Sequence, residues 1–437
     1  MTKIGMISLG CPKNQIDAEM LLFTLQSAGY IITPDEADAD VIIVNTCGFI
    51  EAAKTEAIEN ILEAAAHKKD KLKALIVTGC LSERYRDEIY ESFPEVDAVV
   101  GIGDNAGIAK IVENALEGKK HGGYKPPEDL CLSGGRILTT PPYTAYLKIA
   151  DGCDNCCTYC AIPAIRGRFR SRPMEEVVEE AKRLAENGVK ELIVVAQDTT
   201  MYGQNALPAL LEELCKIDGL HWIRTLYTYP DKIEDELIDV IARQNKLVPY
   251  LDIPIQHCCE RVLRDMNRPG NESELRVLIE KLREKIPDIT LRTTLITGFP
   301  GETEEDFEKL AQFVKDMKFD RLGCFAYSAE EGTPAADFDN QVDEQVKTDR
   351  AENIMREQLS IAAAKNEAKI GQIFETLVEG YDNYIKAYFG RTAADAPDID
   401  GKVFFMSERS LEIGEFYNVL INDTIEYDLL GELADFE

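Results

Sequence analysis

The chain has 437 residues, of which 45% are hydrophobic and 29% are charged, so it is long enough for several globular domains. Its net charge of −31 argues against broad electrostatic binding of nucleic acid, which requires a basic surface. No apolar run reaches the roughly 20 residues that cross a bilayer, and the first residues lack a signal-peptide pattern, so we expect a cytoplasmic protein.

Strands and helices alternate over the first 120 or so residues. The predicted strands are residues 3–9, 40–45, 72–78 and 98–101, and the predicted helices are residues 18–28, 52–66 and 106–116. Such alternation predicts a parallel, doubly wound sheet. Residues 118–142 contain paired glycines and paired prolines, which predict a linker.

A second alternating region follows this linker. Its predicted strands are residues 145–150, 191–196, 222–228, 250–255, 290–297 and 321–327, with helices such as 174–187 and 273–285 between them. Six βα units are too few for a closed eight-stranded barrel, so we expect an open, partial (βα)6 barrel. Residues 348–370 predict a closing helix.

Short strands predict a small five-stranded β-barrel at the end of the chain. These strands are residues 373–379, 384–389, 401–406, 417–421 and 424–429. The sequence therefore predicts an α/β protein with an N-terminal domain over residues 1–120, a linker over 121–140, a partial-barrel domain over 141–370 and a β-barrel over 371–437.

Twelve cysteines in a reducing cytoplasm indicate metal or redox chemistry rather than disulfides. Cys153, Cys157 and Cys160 form a C-x3-C-x2-C pattern directly after the first strand of the partial barrel. Three thiolates at this spacing can hold a cubane iron–sulfur cluster and leave one iron open to a substrate or cofactor. A structural zinc site would need a fourth ligand. The neighbouring Cys156 completes no such pattern, and we treat it as a bystander.

Three further cysteines, Cys11, Cys47 and Cys80, follow the ends of the first three predicted strands, each beside a glycine. The carboxyl ends of parallel strands face one edge of a sheet, where doubly wound folds bind ligands. A single cysteine of this kind is more often part of the core. Three in register predict a second iron–sulfur cluster.

The triplet resembles the radical S-adenosylmethionine superfamily, and both triads together resemble the methylthiotransferase family over the whole chain. The resemblance implies two 4Fe–4S clusters and S-adenosylmethionine as cofactors, and a TRAM barrel at the C-terminus. It implies that one S-adenosylmethionine methylates a sulfur at the auxiliary cluster. Another yields the radical that removes hydrogen from an unactivated carbon. It also implies S-adenosylmethionine contacts from Tyr159, Gln197 and Arg292, and we assign no catalytic side chain.

Residues 8–14, 196–203 and 250–257 resemble the branch of this family that modifies a protein. The resemblance implies an aspartate of the small-subunit ribosomal protein S-twelve as substrate, methylthiolated at its β-carbon, and a low-potential electron donor as a further partner. Residues 371–437 carry 15 acidic and 4 basic residues, a net charge of 4 − 15 = −11, which suits a basic protein better than tRNA. We expect Asp395, Asp398 and Asp400 to face that partner.

Two alternatives remain open at this point. A tRNA adenosine methylthiotransferase would use the same chemistry. Arg166, Arg168, Arg170 and Arg172 would share one face of an extended segment and could hold anionic groups in either enzyme. A non-enzymatic iron–sulfur scaffold or electron carrier would leave the open iron position without a use. His257 stands beside Cys258 and Cys259, but this trio lacks the spacing of a standard metal motif.

Overall fold

The N-terminal sheet has five parallel strands in the order β2-β1-β3-β4-β5. The computed structural model describes residues 1–120 and 122–434; His121 of the predicted linker and residues 435–437 of the predicted β-barrel lie outside the described residues. The strands are β1 (Lys3–Ser8), β2 (Ile31–Ile32), β3 (Val41–Thr46), β4 (Ala74–Gly79) and β5 (Ala98–Val99). The helices are α1 (Pro12–Ser27), α2 (Glu51–Ala66), α3 (Cys80–Arg84), α4 (Arg86–Ser92) and α5 (Ile108–Leu116).

Burial explains why the central strands of this sheet could be predicted from the sequence. Every residue of β3 and β4 is buried, which is typical of parallel strands covered by helices on both faces. The two-residue edge strand β2 was not predicted. It is too short to carry a periodic pattern.

The predicted partial barrel is an open sheet of six parallel strands in the order β13-β12-β11-β10-β9-β6. The strands of this region are β6 (Thr144–Lys148), β7 (Ala150–Asp151), β8 (Arg170–Ser171), β9 (Glu191–Val195), β10 (Trp222–Thr225), β11 (Leu247–Asp252), β12 (Thr290–Thr297) and β13 (Arg321–Ala326). Its helices are α6 (Ile162–Arg166), α7 (Met174–Glu186), α8 (Leu207–Cys215), α9 (Asp235–Arg243), α10 (Glu260–Asp265), α11 (Glu272–Lys285), α12 (Glu304–Met317) and α13 (Glu344–Glu367). The small strands β7 and β8 pair with each other outside the main sheet.

Five strands close the predicted C-terminal barrel in the order β14-β15-β16-β18-β17. They are β14 (Ile373–Asp382), β15 (Ala387–Thr392), β16 (Val403–Met406), β17 (Phe416–Ile425) and β18 (Asp428–Leu433). The predicted strand 424–429 is wrong in its bounds, because it spans the turn between β17 and β18, where Glu426 has a φ of 51°. The predicted strand 384–389 begins too early, since residues 383–386 form a turn.

The described part of the linker packs against both neighbouring domains. It contains one short 3₁₀ turn, Pro127–Asp129, and no strand or longer helix among its described residues. Arg136 pairs with Glu19 of α1 and with Glu180 of α7, each at 3.0 Å. Among residues 1–120 and 122–434, no helix has both the length and the apolar character needed to cross a membrane.

Candidate functional site

The three cysteines of the N-terminal domain lie at one edge of its sheet. Cys11 immediately precedes α1, Cys47 follows β3, and Cys80 is the first residue of α3. The sheet order places β1, β3 and β4 side by side, so these loops leave adjacent strand ends. The strand order reverses between β1 and β3, and open α/β sheets bind ligands at such switch points.

Close backbone approaches hold these three loops together. Gly10 has a φ of +89°, and a Cβ there would lie 2.7 Å from Cys47 Cβ. A Cβ on Gly48 would lie 2.7 Å from Cα of Leu81, the residue after the third cysteine. The Asn14 side-chain amide donates to a backbone carbonyl in each of the first two loops, at 2.8 and 3.2 Å. The three cysteine loops therefore lie against one another, and the convergence of their thiols stays a prediction.

The electrostatics of this triad fit a metal cluster. Burial and, to a lesser extent, the neighbouring thiols Cys80 and Cys11 raise the pKa of Cys47 to about 11. Burial also raises the pKa of Cys80, and Arg166 opposes this because its Nη2 donates to Cys80 Sγ at 3.4 Å. Thiols that ionise poorly alone become stable thiolates beside bound metal. The donor set therefore fits an iron–sulfur cluster with three protein ligands.

The second triad lies in the loop between β7 and α6. The Cys153 N–H donates to Gly167 O at 3.2 Å, and the Cys160 N–H donates to Cys157 O at 3.0 Å. Cys157 is buried and the other two members are partly buried, whereas Cys156 is exposed and has a φ of +50°. This difference in exposure supports the choice of the triplet without Cys156.

Two side chains that the sequence analysis did not single out contact this second triad. Arg268 Nη1 lies 3.7 Å from Cys157 Sγ and donates to Tyr159 Oη at 3.4 Å. Tyr229 Oη also lies 3.7 Å from Cys157 Sγ. Burial raises the pKa of Cys160 to about 12, and the charge of Arg268 opposes this rise. Each triad therefore has one buried guanidinium that favours the thiolate form. These contacts join segments that are far apart in the sequence, so no local sequence motif indicates them.

The other two predicted S-adenosylmethionine contacts lie in different surroundings. Gln197 follows β9 and donates to Asp151 at 2.8 Å, while its buried side-chain oxygen has no partner among the described residues. Arg292 is the third residue of β12 and donates to Asp252 Oδ1 at 2.7 Å. Its Nε lies 3.8 Å from Asp400. Gln197 thus has a free acceptor, whereas Arg292 is engaged in an intramolecular ion pair.

A buried charged cluster joins the two triads. Asp17 of α1 and Asp151 of β7 each pair with both Lys148 and Arg166. All four side chains are at most 2% exposed. Helix α1 begins directly after the first N-terminal cysteine, and Arg166 ends the helix that follows the last cysteine of the second triad. The charged cluster therefore connects the two cysteine loops across the domain interface.

The expectation that Arg166, Arg168, Arg170 and Arg172 share one face is wrong. Helix α6 ends at Arg166, and the chain reverses at Gly167, which has a φ of +71°. Arg166 is buried in the charged cluster, whereas the Arg168 side chain is 81% exposed. Arg170 and Arg172 donate to backbone carbonyls of the protein, at 3.1 and 2.7 Å.

The trio of His257, Cys258 and Cys259 is the one group of described Cys, His, Asp or Glu residues with three ligand atoms within 4.8 Å of one another. Both nitrogens of its imidazole already lie next to other groups of the protein. Nδ1 accepts the N–H of Cys259 at 3.0 Å, and Nε2 lies 3.4 Å from Glu302. We therefore assign no metal to this trio. In neither cysteine triad do all three sulfur atoms lie within 4.8 Å of one another. Such a wider spacing suits a cubane better than a single ion.

The acidic loop between β15 and β16 faces the protein's own partial barrel. Asp395 is 2% exposed and pairs with Arg321 of β13. The Asp400 side chain is also 2% exposed and accepts a hydrogen bond from Tyr250 Oη at 2.7 Å. Asp398 is exposed. The expectation that all three carboxylates face a partner is therefore wrong for Asp395 and Asp400, because basic and hydroxyl groups of the barrel neutralise or bind them.

Comparisons with known proteins cover the whole described architecture. Family models match at residues 147–314 (Radical SAM superfamily), 3–101 (Uncharacterized protein family UPF0004) and 370–434 (TRAM domain). The "Ribosomal protein uS12 methylthiotransferase RimO" of Desulforamulus reducens is 50% identical, over 99% of this chain and 100% of that protein. The protein of the same name from Acetivibrio thermocellus is 49% identical, over 99% of this chain and 98% of its own length.

Solved structures share the fold at much lower identity. The radical S-adenosylmethionine methyltransferase TsrM from Kitasatospora setae, solved with tryptophan substrate and a SAM analog, superposes with a TM-score of 0.59 at 13% identity. The alignment covers 74% of this chain and 73% of TsrM. A likeness of this size supports the open six-stranded architecture.

Proposed function

The chain belongs to the RimO family of ribosomal protein uS12 methylthiotransferases, and from this membership we propose that it adds a methylthio group to the β-carbon of an aspartate in uS12, the protein S-twelve of the small subunit. One observation carries the proposal beyond the likeness: the two triads meet at one interface. Cys80 of the first triad packs against Ala161 and Ile165, in the segment that directly follows the second triad. The radical and the sulfur group would come from different triads, so their reaction requires the two triads to lie side by side.

Two 4Fe–4S clusters and S-adenosylmethionine are the cofactors of this family, and when bound they supply the radical and the methylated sulfur. We assign one cluster to Cys11, Cys47 and Cys80 and the other to Cys153, Cys157 and Cys160. The protein's own part is to place the positive charges of Arg166 and Arg268 beside Cys80 and Cys157 and to fix the two cysteine loops relative to each other.

Tyr159, Gln197 and Arg292 are the side chains we assign to S-adenosylmethionine. The unpartnered oxygen of Gln197 supports its assignment, since a buried acceptor without a donor is costly. To bind S-adenosylmethionine, Arg292 would first have to release its ion pair with Asp252. We assign the domains to residues 1–120, 141–370 and 371–437, with the linker at 121–140.

A basic ribosomal protein, free or within the small subunit, suits the net charge of −31, and a low-potential electron donor is the second partner. The acidic C-terminal barrel argues against a nucleic-acid partner. We place the enzyme in the cytoplasm, where ribosomes lie and thiols stay reduced.

Anaerobic reconstitution tests the proposal. The full chain, reconstituted with iron and sulfide, is incubated with reductant, S-adenosylmethionine and uS12, and mass spectrometry reads the modified peptide. We expect a methylthio group on one aspartate. A variant with Cys11, Cys47 and Cys80 replaced by alanine should still cleave S-adenosylmethionine but should leave uS12 unmodified.

Transfer RNA is the competing substrate in the same assay. Methylthiolation of tRNA with unmodified uS12 would contradict the proposed substrate while keeping the chemistry. Absence of any S-adenosylmethionine cleavage by the reduced protein would contradict the chemistry itself and favour an electron carrier.

A further inference from the structure

Lys13 is a buried ammonium that lies against an aromatic ring and near Cys11 and Asp252. It is the second residue of α1, two residues after Cys11, and it is only 7% exposed. None of the described carboxylates forms an ion pair with it. Its Nζ instead lies 3.3 Å from the centroid of the Tyr227 ring. Buried charges are normally paired, and here the nearby Cys11 and Asp252 favour the charged form without a carboxylate pairing directly with it.

The other deeply buried lysines show how unusual this arrangement is. Lys148 is fully buried and pairs with both Asp17 and Asp151. Lys347 is 1% exposed and pairs with Glu344. A cation–π contact offsets part of the desolvation of an ammonium, but it supplies no negative charge. No described carboxylate pairs directly with Lys13, so its Nζ can still accept a carboxylate that enters the interface.

Tyr227, the residue beneath Lys13, is held in a strained backbone conformation. Its φ is +62°, a value that bulky residues rarely adopt. Its N–H donates to Asp252 Oδ2 at 3.1 Å, and its carbonyl accepts the N–H of Thr199 at 3.0 Å. Strain that the surroundings enforce in this way is concentrated at functional sites.

Lys13 and Tyr227 lie between the two triads. Lys13 follows Cys11 by two residues, and Tyr229, two residues after Tyr227, places its hydroxyl 3.7 Å from Cys157 Sγ. The free ammonium thus stands where the N-terminal domain meets the strand ends of the partial barrel. A ligand there would be within reach of both cysteine loops.

We infer that Lys13 binds the side-chain carboxylate of the substrate aspartate and selects it over an uncharged side chain. This inference rests on the proposed function. The β-carbon of aspartate is bonded directly to the carboxyl carbon, so holding the carboxylate also holds the carbon that is modified. A neutral adenine base offers no anion for this site. The methionyl carboxylate of S-adenosylmethionine is the other possible source of the same chemistry, and the test separates the two.

The test compares binding of uS12 and of its variant with asparagine at the modified position. Dissociation constants are measured anaerobically with the reconstituted full chain, without turnover. We expect the parent to bind the aspartate form about 10- to 100-fold more tightly, the range of a charge-assisted hydrogen bond. Lys13→Gln should bind both forms equally, and Lys13→Arg should recover most of the preference. The exposed Lys73→Gln serves as the matched control and should behave as the parent.

Iron content and the Michaelis constant for S-adenosylmethionine cleavage complete the test. Both should be unchanged in Lys13→Gln. A raised Michaelis constant with the aspartate preference intact would assign Lys13 to S-adenosylmethionine and overturn the inference. Equal binding of the two uS12 forms by the parent would also overturn it, and this result needs no variant to fold. If the parent fails to modify uS12 at all, the proposed function fails instead.

Discussion

Replacing Asp395 by lysine should detach the C-terminal barrel from the rest of the protein. Asp395 accepts a hydrogen bond from Thr392 Oγ1 at 2.7 Å and pairs with Arg321 of β13, which is itself buried. Burial alone would raise the pKa of Asp395, but the charges of Arg321 and Lys369 hold it below its ordinary value. A lysine there would place an ammonium against two cations.

Breaking a buried ion pair by removal of one partner costs about 3–5 kcal/mol. With a urea dependence of about 2–3 kcal/mol per molar, the midpoint of the docking transition should fall by about 1–2.5 M. Trp222 is the single tryptophan of the chain, and its ring lies 4.7 Å from the ring of Phe416 in β17. Its fluorescence therefore reports the contact between the two barrels, and undocking should shift its emission to the red.

Glu408→Lys is the matched control, because it makes the same change of charge at an exposed position of the same domain. Its midpoint should stay within about 0.3 M of the parent. The lowered pKa of Asp395 means that its stabilisation is present above the ordinary value of 3.8 and is lost as the pH falls further. Asp395→Asn should remove that part of the acid sensitivity. Equal urea midpoints for Asp395→Lys and Glu408→Lys would refute this account of the acidic loop.

Two further predictions concern the triads. Replacing Cys153, Cys157 and Cys160 together by alanine should leave about half of the iron in the reconstituted protein, as one cluster per triad requires. Cys156→Ala should keep all of it, and iron and sulfide analysis decides both points. Arg166→Met should lower the thermal midpoint, because it leaves two buried aspartates with one lysine and costs about 3–5 kcal/mol. Arg168→Met should not, and an Arg166 variant as stable as the parent in differential scanning calorimetry would contradict the role of the charged cluster.

Local sequence was sufficient to predict the sheets and the order of the domains. Strands such as β3 and β4 are continuous aliphatic runs because both of their faces are buried. Cysteines that follow such runs lie at one sheet edge, so the position of Cys11, Cys47 and Cys80 at that edge could be predicted from the sequence. Strand bounds failed where a single turn decided them, as at Glu426, which adopts a positive φ without a glycine to signal it.

The charged contacts could not be predicted, because their partners are far apart in the sequence. Asp17 meets Arg166 across 149 residues, and Glu191 meets Arg391 across 200. The net charge of the C-terminal domain was interpreted as if all of its acidic side chains were accessible to a partner. The structure shows that part of this acidity faces inward, where Arg321 pairs with Asp395 and Tyr250 donates a hydrogen bond to Asp400. Net charge reports solubility and long-range attraction, but it does not say which carboxylates are accessible.

The relative position of the two triads is a property of the domain interface rather than of either domain. The cluster of Asp17, Lys148, Asp151 and Arg166 connects α1 to α6. Asn14 of α1 adds to this connection, because its side-chain oxygen accepts a hydrogen bond from Arg166 at 3.1 Å. Such a cluster adds little net stability over apolar packing, yet it penalises any shift that separates its charges. Arg166 also donates to Cys80 Sγ, so the group that aligns the domains acts directly on a proposed cluster ligand. Arg166 therefore contributes both to the alignment of the domains and to the charge around Cys80.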